Sequence, residues 1–157
     1  MSFDTLFLDE LAAALTRIKL DAILVGNAAS VLHGAPILTQ DADLLIRDTP
    51  LNRRKIARLV EEMGGVGPVD IHENVSAKRI HFPDVYIDVI FDKIAGKLSF
   101  NSVRSRSSRI TVSEHSLNVA SLEDIIKSKT AANREKDRAA LPILRTALAV
   151  QRARAKK

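Results

Sequence analysis

The sequence has no cysteine among its 157 residues. Disulfide frameworks and thiolate zinc sites are therefore excluded, and the fold must be held together by packing. No apolar run approaches the roughly 20 residues that span a bilayer. The N-terminal segment Met1–Asp4 is acidic, whereas a signal peptide begins with basic residues. These absences predict a cytoplasmic protein that does not associate with a membrane.

Several catalytic motifs are also missing. The sequence contains no Gly-x-Ser-x-Gly nucleophile elbow and no Walker-type phosphate loop, so serine acyl transfer and P-loop chemistry are set aside. The histidines have no metal-ligand spacing such as His-x-x-x-His, which argues against a zinc enzyme. They are scattered along the chain at His33, His72, His81 and His115.

The composition is that of a globular protein, with 46% hydrophobic and 27% charged residues. Because no repeat or linker interrupts the chain, residues 1–157 are expected to form a single domain. The formal net charge is +5, and part of the excess lies in a C-terminal basic cluster. That cluster fits either a polyanionic partner or a solvated helix end. Its members are Arg152, Arg154, Lys156 and Lys157.

Hydrophobic periodicity predicts an α/β (α+β) fold, with a mixed β-sheet flanked by helices over residues 1–120. Residues 121–157 are predicted to form a helical C-terminal extension. Residues 93–109 fit neither a helix nor a strand clearly. The other predicted helices cover about 5–19, 27–32 and 50–63, and the predicted strands cover 22–25, 39–46, 69–73, 78–82, 85–91, 109–112 and 117–120.

The predicted N-caps share a short polar side chain that can accept a hydrogen bond from a free helix amide. Pro142 is expected to kink or break the C-terminal helix, and Asn74–Ser76 to form the turn of a β-hairpin. The predicted N-caps are Asp4, Asn27, Ser121 and Thr49, the last followed by Pro50 at the first helical position.

Two aspartates stand two residues apart near the start of a predicted strand. Side chains alternate between the faces of a strand, so the carboxylates of Asp41 and Asp43 point the same way. Like charges about 4 Å apart repel by roughly 4 kcal/mol at an effective dielectric near 20. A divalent cation is the simplest group that offsets this repulsion. The alternative interpretation is a solvated turn at the start of the strand.

A third aspartate, Asp88, lies within the apolar segment Val85–Phe91. A carboxylate kept inside such a strand needs a partner, which is either a metal ion or an arginine. If Asp88 meets Asp41 and Asp43, the three acids form the oxygen-rich site that magnesium prefers. The sequence thus predicts a magnesium site, with a buried ion pair at Asp88 as the alternative.

Three further segments are candidates for binding phosphate. Gly26 and Asn27 lie at a predicted strand-to-helix turn, where backbone amides approach a ligand closely. Lys129 lies on the apolar face of its helix, where it either reaches a triphosphate or extends its ammonium to water. Arg134 is also a candidate, although its spacing from Asp137 fits an ordinary surface ion pair better.

These residues resemble the nucleotidyltransferase superfamily related to DNA polymerase β, especially its small bacterial, toxin-like members. The likeness extends over about residues 22–144. The motifs that carry it are Val25–Ala29, His33-Gly34, Thr39–Leu44, Ile87–Val89 and Ser121–Ile126, followed by Lys129, Ala132, Arg134, Lys136 and Asp137.

The resemblance implies transfer of a nucleoside monophosphate from a nucleoside triphosphate, such as ATP, to a hydroxyl acceptor. It implies two magnesium ions, with manganese as the alternative, held by Asp41 and Asp43, while Asp88 helps to deprotonate the acceptor. The toxin-like members suggest RNA (a tRNA end), a protein side chain or a small molecule as acceptor, and an antitoxin-like partner. Arg104, Arg106 and Arg109 are expected to meet a nucleic-acid backbone.

A second hypothesis from the sequence is a binding module with the same fold but degenerate catalysis. Asn27 stands where the family usually has glycine or serine, and Leu38 stands near a position that is often basic. Such a module would act as an RNA-binding or protein-binding partner subunit. It would bind its partner without magnesium.

Overall fold

The computed structural model describes residues 5–71 and 74–156, with only the backbone described at residues 74 and 75. The described part of the chain contains six helices and nine strands. The helices are α1 (Thr5–Ile18), α2 (Gly26–Leu32), α3 (Pro50–Met63), α4 (Phe100–Arg106), α5 (Leu122–Ala132) and α6 (Glu135–Ala155). The strands are β1 (Ile23–Val25), β2 (Asp41–Ile46), β3 (Val66–Ile71), β4 (Asn74–His81), β5 (Tyr86–Phe91), β6 (Lys93–Ile94), β7 (Leu98–Ser99), β8 (Ser108–Val112) and β9 (His115–Val119).

Seven strands form one sheet in the order β3-β4-β5-β2-β1-β9-β8, and β6 pairs with β7 in a separate small ribbon. Strand β2 is parallel to β5 and β1 is parallel to β9, whereas the other neighbours are antiparallel. This arrangement confirms the predicted α/β fold with a mixed sheet.

The central strands β2 and β5 bury one face completely. Ala42 and Leu44 of β2, and Ile87 and Val89 of β5, are at most 1% exposed and belong to the main hydrophobic core. Because side chains alternate along a strand, the residues between them point to the opposite face. The core therefore directs Asp41, Asp43 and Asp88 together towards the other side of the sheet.

Several helix boundaries agree with the sequence predictions. Thr49 caps α3 by accepting a hydrogen bond from the Asn52 amide, and Pro50 occupies the first turn. Ser121 caps α5 by accepting a hydrogen bond from the Asp124 amide. The predicted N-cap Asp4 and the histidine His72 lie outside the described residues.

Two predicted boundaries are wrong. Helix α2 begins at Gly26, directly after β1, so its N-cap is Val25 and Asn27 lies inside the first turn. The β3–β4 ladder extends to the pair Ile71 and Asn74, so Asn74–Ser76 belong to β4 and do not form the turn.

Of the kink or break predicted at Pro142, the break is also wrong, because α6 continues through this residue from Glu135 to Ala155. A kink at Pro142 stays a prediction. Proline removes one intrahelical hydrogen bond, but Leu141 and Leu144 on either side of it are buried and hold the helix against the core. The chain breaks instead at Asn133, whose left-handed conformation (φ 50°) ends α5. In the part of the chain that is described, no helix has the length and hydropathy needed to cross a bilayer.

Candidate active site

The three aspartates singled out in the sequence meet on one face of the sheet. Asp43 of β2 is directly opposite Asp88 of the parallel strand β5, and Asp41 is opposite Tyr86. One carboxylate oxygen from each of Asp41, Asp43 and Asp88 lies within 4.8 Å of the others. The cluster therefore combines oxygens from two neighbouring strands at the same height in the sheet.

The electrostatics of the cluster are unfavourable without a cation. Burial raises the pKa of Asp43 to about 7, and the charges of Asp41 and Asp88 add to the increase. The charges of Lys129 and Lys136 lower this pKa but offset the increase only in part. The three carboxylates supply hard oxygen donors, which suit magnesium or manganese. The residues present thus fit a divalent cation.

Asp88 has an arginine partner in addition to its place in the cluster. Arg79 of β4 donates from Nε to Asp88 Oδ1 at 2.7 Å and from Nη2 to Oδ2 at 3.0 Å. The Arg79 guanidinium also lies over the Tyr86 ring, 3.8 Å from its centroid, and the hydrogen bonds with Asp88 raise its pKa. Asp88 therefore forms an ion pair with Arg79 and also lies beside Asp41 and Asp43.

Gly26 brings the start of α2 directly against the acid cluster. It has a positive φ of 68°, and a Cβ atom built on it would overlap Asp43 Oδ2 and lie 3.3 Å from Asp43 Cγ. Only glycine combines this backbone conformation with this close approach. The position of Gly26 thus fixes how near the β1–α2 turn comes to Asp43.

Substitution of Gly26 by alanine is expected to destabilise the protein by roughly 1–3 kcal/mol, from backbone strain and the forced displacement of Asp43. Urea unfolding measures this loss. Gly34→Ala is a suitable control, because Gly34 also has a positive φ, of 94°, but a Cβ there has no atom within 4 Å. The interpretation requires a larger loss at Gly26 than at Gly34.

A cavity lies above the three aspartates, and Asn27 is not among the described residues that line it. The Asn27 Oδ1 atom is buried and has no hydrogen-bond partner among the described residues. Leu38, the other departure from the family pattern, is 70% exposed. The nucleotide-binding role of Asn27 stays a prediction.

Asp137 organises the basic side chains predicted to bind nucleotide. It is fully buried and accepts hydrogen bonds from Arg134 Nε at 2.7 Å and Nη2 at 3.2 Å. Lys129 Nζ lies 3.5 Å from Asp137 Oδ1, and the Lys129 side chain is only 11% exposed. The interpretation of Arg134 and Asp137 as an ordinary surface pair is therefore wrong, because the α5–α6 junction encloses Asp137.

The enclosed position shifts the pKa values of both Lys129 and Asp137. Burial lowers the pKa of Lys129, although the charge of Asp137 opposes this effect. Burial raises the pKa of Asp137, but the Arg134 hydrogen bonds outweigh it and the net shift is downward. Lys129 is thus held inside the cavity and does not extend its ammonium to bulk water.

A cavity of about 840 Å³ lies over the acid cluster. Sheet residues form its floor, and α5, the start of α6 and the β6–β7 ribbon form its walls. Sequence reasoning missed four of the charged and aromatic residues that line it. The sequence carries no signal for Arg79, because only the pairing of β4 with β5 places it beside Asp88. The missed residues are Arg79, Tyr86, Lys93 and Lys97, and Lys136 was noticed only through the family resemblance.

The three arginines expected to meet nucleic acid have partners within the protein. Arg104 is paired with Asp21 at 3.1 Å, and Arg106 with the buried Asp124 at 2.9 Å. Arg109 donates to the Ser116 carbonyl at 3.3 Å. None of these arginines is among the described residues that line the cavity. Their contact with nucleic acid stays a prediction.

Comparison with solved structures relates this fold to enzymes of antibiotic resistance. ANT(2'')-Ia, an antibiotic-resistance factor, matches with a TM-score of 0.67 at 16% identity, over 97% of this chain and 92% of that one. Its crystal structure in complex with adenylyl-2''-tobramycin gives a TM-score of 0.66 over 96% of this chain and 92% of that one, also at 16% identity. The lincosamide antibiotic adenylyltransferase LnuA, with lincomycin bound, gives 0.64 at 14% identity, over 91% and 96%.

No protein-family model and no curated protein matches the sequence. At these identities the structural matches establish the fold and not the substrate. The chain has the nucleotidyltransferase fold, which confirms at that level the resemblance found in the sequence.

Proposed function

We propose that this protein is a magnesium-dependent nucleotidyltransferase that transfers a nucleoside monophosphate from a nucleoside triphosphate to a hydroxyl acceptor. The observation that carries the proposal is the meeting of Asp41, Asp43 and Asp88 within 4.8 Å at the floor of a large cavity. The fold supports it, because the structural matches include the lincosamide antibiotic adenylyltransferase LnuA, and ANT(2'')-Ia in complex with adenylyl-2''-tobramycin.

Asp41, Asp43 and Asp88 would hold the magnesium, or manganese in its place. When bound, the metal supplies positive charge that orients the triphosphate, activates the acceptor hydroxyl and stabilises the leaving pyrophosphate. The raised pKa of Asp43, about 7, supports this role. The cluster is poorly compensated by the protein alone, and a cation would remove that cost.

The remaining lining residues would position the substrate. Lys129 and Arg134 are held by the buried Asp137 at the cavity wall and would bind the triphosphate through charge-assisted hydrogen bonds. Lys136 lies in the first turn of α6 and also lines the cavity. Gly26 would let the β1–α2 backbone approach the phosphates closely.

The acceptor is a hydroxyl group of RNA, of a protein or of a small molecule. The small-molecule case is supported by ANT(2'')-Ia and LnuA, whose structures contain adenylyl-tobramycin and lincomycin. An antitoxin-like partner and ATP as a donor belong to the same proposal and rest on the sequence resemblance.

Calorimetry with magnesium and each nucleoside triphosphate tests the proposal. We expect nucleotide affinity that requires magnesium and is lost in Asp41→Asn. Asp84→Asn is the matched control, because Asp84 is exposed and does not line the cavity. Binding of RNA or protein that survives Asp41→Asn, without metal-dependent nucleotide affinity, would instead support the degenerate binding module.

A further inference from the structure

The Arg79 guanidinium contacts Asp88 and Tyr86, and one of its edges has no hydrogen-bond partner among the described residues. Its Nε and Nη2 atoms donate to Asp88, and its plane lies 3.8 Å from the Tyr86 centroid. A guanidinium has five N–H donors in a planar fork. Neither the Nη1 atom nor the second Nη2 hydrogen forms a hydrogen bond with any of the described residues. An edge of this kind can bind a carboxylate or phosphate through two parallel hydrogen bonds.

Arg79 lies on the side of the acid cluster away from Gly26. In the sheet, β4 follows β5, whereas β1, which leads into Gly26, borders β2 on the other side. Gly26 packs directly against Asp43 and lines the cavity on its side of the cluster. The cavity continues over β4 and β3, where Ala77 and Ile71 line it. If the triphosphate lies between Gly26 and the α5–α6 junction, the space beside Arg79 remains for the acceptor.

The cavity carries more positive than negative side chains. Its charged lining consists of the three aspartates and twice as many basic residues. The basic residues are Arg79, Lys93, Lys97, Lys129, Arg134 and Lys136. Asp137, which does not line the cavity, balances part of this excess through its ion pairs with Lys129 and Arg134, and a bound divalent cation would offset part of the charge of the triphosphate. A polycationic acceptor would be repelled by this lining, whereas an anionic acceptor would be attracted.

The geometry points to an anionic acceptor: a hydroxyl compound that carries a phosphate or carboxylate group, which the free edge of Arg79 binds. This inference rests on the proposed function and specifies its substrate class. In the reaction, the acceptor oxygen forms a bond to the α-phosphorus of the triphosphate. The bond between the α-phosphorus and the oxygen that bridges it to the β-phosphorus breaks. Pyrophosphate leaves with that electron pair, and the hydroxyl proton passes to Asp88 and then to solvent.

The test uses inorganic phosphate and acetate as separate probes for the two anionic groups. Each is titrated calorimetrically into the full-length protein saturated with magnesium and a non-hydrolysable triphosphate analogue, at constant ionic strength. We expect at least one of the two to bind, and Arg79→Met to weaken that binding about 10- to 100-fold. Arg79→Lys keeps the charge but loses the planar fork, so the anion affinity of this variant should lie between those of the wild type and Arg79→Met.

Arg53 provides a matched control for Arg79. Arg53 donates from Nε and Nη2 to the Asp48 carboxylate at 2.7 and 3.0 Å, and its guanidinium lies 4.5 Å from the Phe91 ring centroid. Unlike Arg79, it does not line the cavity. Arg53→Met should therefore leave anion affinity unchanged.

Three outcomes would overturn the inference: neither anion binds, the bound anion is indifferent to Arg79→Met and Arg79→Lys, or the polycation tobramycin binds more tightly than both anions. Failure of the triphosphate analogue itself to bind is seen first, in a separate titration, and that result counts against the proposed function.

Discussion

Asp43→Asn is expected to stabilise the metal-free protein at neutral pH while removing its response to magnesium. Burial and the neighbouring charges of Asp41 and Asp88 raise the pKa of Asp43 from 3.8 to about 7. Ionised Asp43 therefore destabilises the folded state. An asparagine of the same shape removes that charge, with an expected gain on the order of 2–4 kcal/mol above pH 7.

The pH dependence has a definite sign. The folded-state pKa of Asp43 is higher than the ordinary value, so its destabilising effect is absent below about pH 3.8 and grows as the pH rises towards 7. The advantage of Asp43→Asn should therefore vanish in acid. Magnesium should stabilise the wild type at pH 8 and have little effect on the variant.

Urea unfolding at pH 4 and pH 8, with EDTA or with magnesium, measures these differences. Nucleotide transfer by the variant should fall by about two orders of magnitude or more. Asp84→Asn, which changes an exposed aspartate outside the cavity, should alter neither property. A variant less stable than the wild type at pH 8 in EDTA would contradict the electrostatic account of the cluster.

The second large effect is expected for Asp137→Ala, which should lower the free energy of unfolding by about 3–5 kcal/mol. Asp137 is fully buried and accepts hydrogen bonds from the backbone and the guanidinium of Arg134. Its removal also leaves Lys129, 11% exposed, without its carboxylate partner. An unpaired buried cation is costly, so the α5–α6 junction should open.

Urea unfolding and magnesium–nucleotide calorimetry together test this prediction, because the displaced Lys129 and Arg134 should also weaken triphosphate binding. Glu135→Ala is the control, since Glu135 lies in the same helical turn but is exposed. The Asp137 pKa is lowered in the fold, so the stability it provides should be lost as the pH falls below about 3.8. Equal losses for Asp137→Ala and Glu135→Ala would show that the enclosure contributes nothing.

The acid cluster could be predicted because its causes are local. The alternation of Asp41 with Asp43, and the apolar neighbours of Asp88, fix which face each carboxylate occupies once the strands form. What the sequence left open was the pairing between strands. Only the observed register places Arg79 beside Asp88, and no spacing along the chain reveals that contact.

The errors at the C-terminal helices have a similar origin. The spacing of Arg134 and Asp137 is that of a surface pair, and only the packing of α5 against α6 shows that Asp137 is enclosed. Pro142 has a strong local tendency to break helices, which the buried neighbours Leu141 and Leu144 outweigh. Both features are determined by tertiary contacts, which cannot be inferred from the spacing of residues along the chain.

The in-register pairing of β2 with β5 also makes the site sensitive to insertions. Adding or deleting one residue inside either strand would turn every later side chain to the other face, so that an apolar residue would occupy the place of an aspartate. The loops before and after these strands have no such constraint. Length variation among natural or engineered versions of this protein should therefore be confined to the loops.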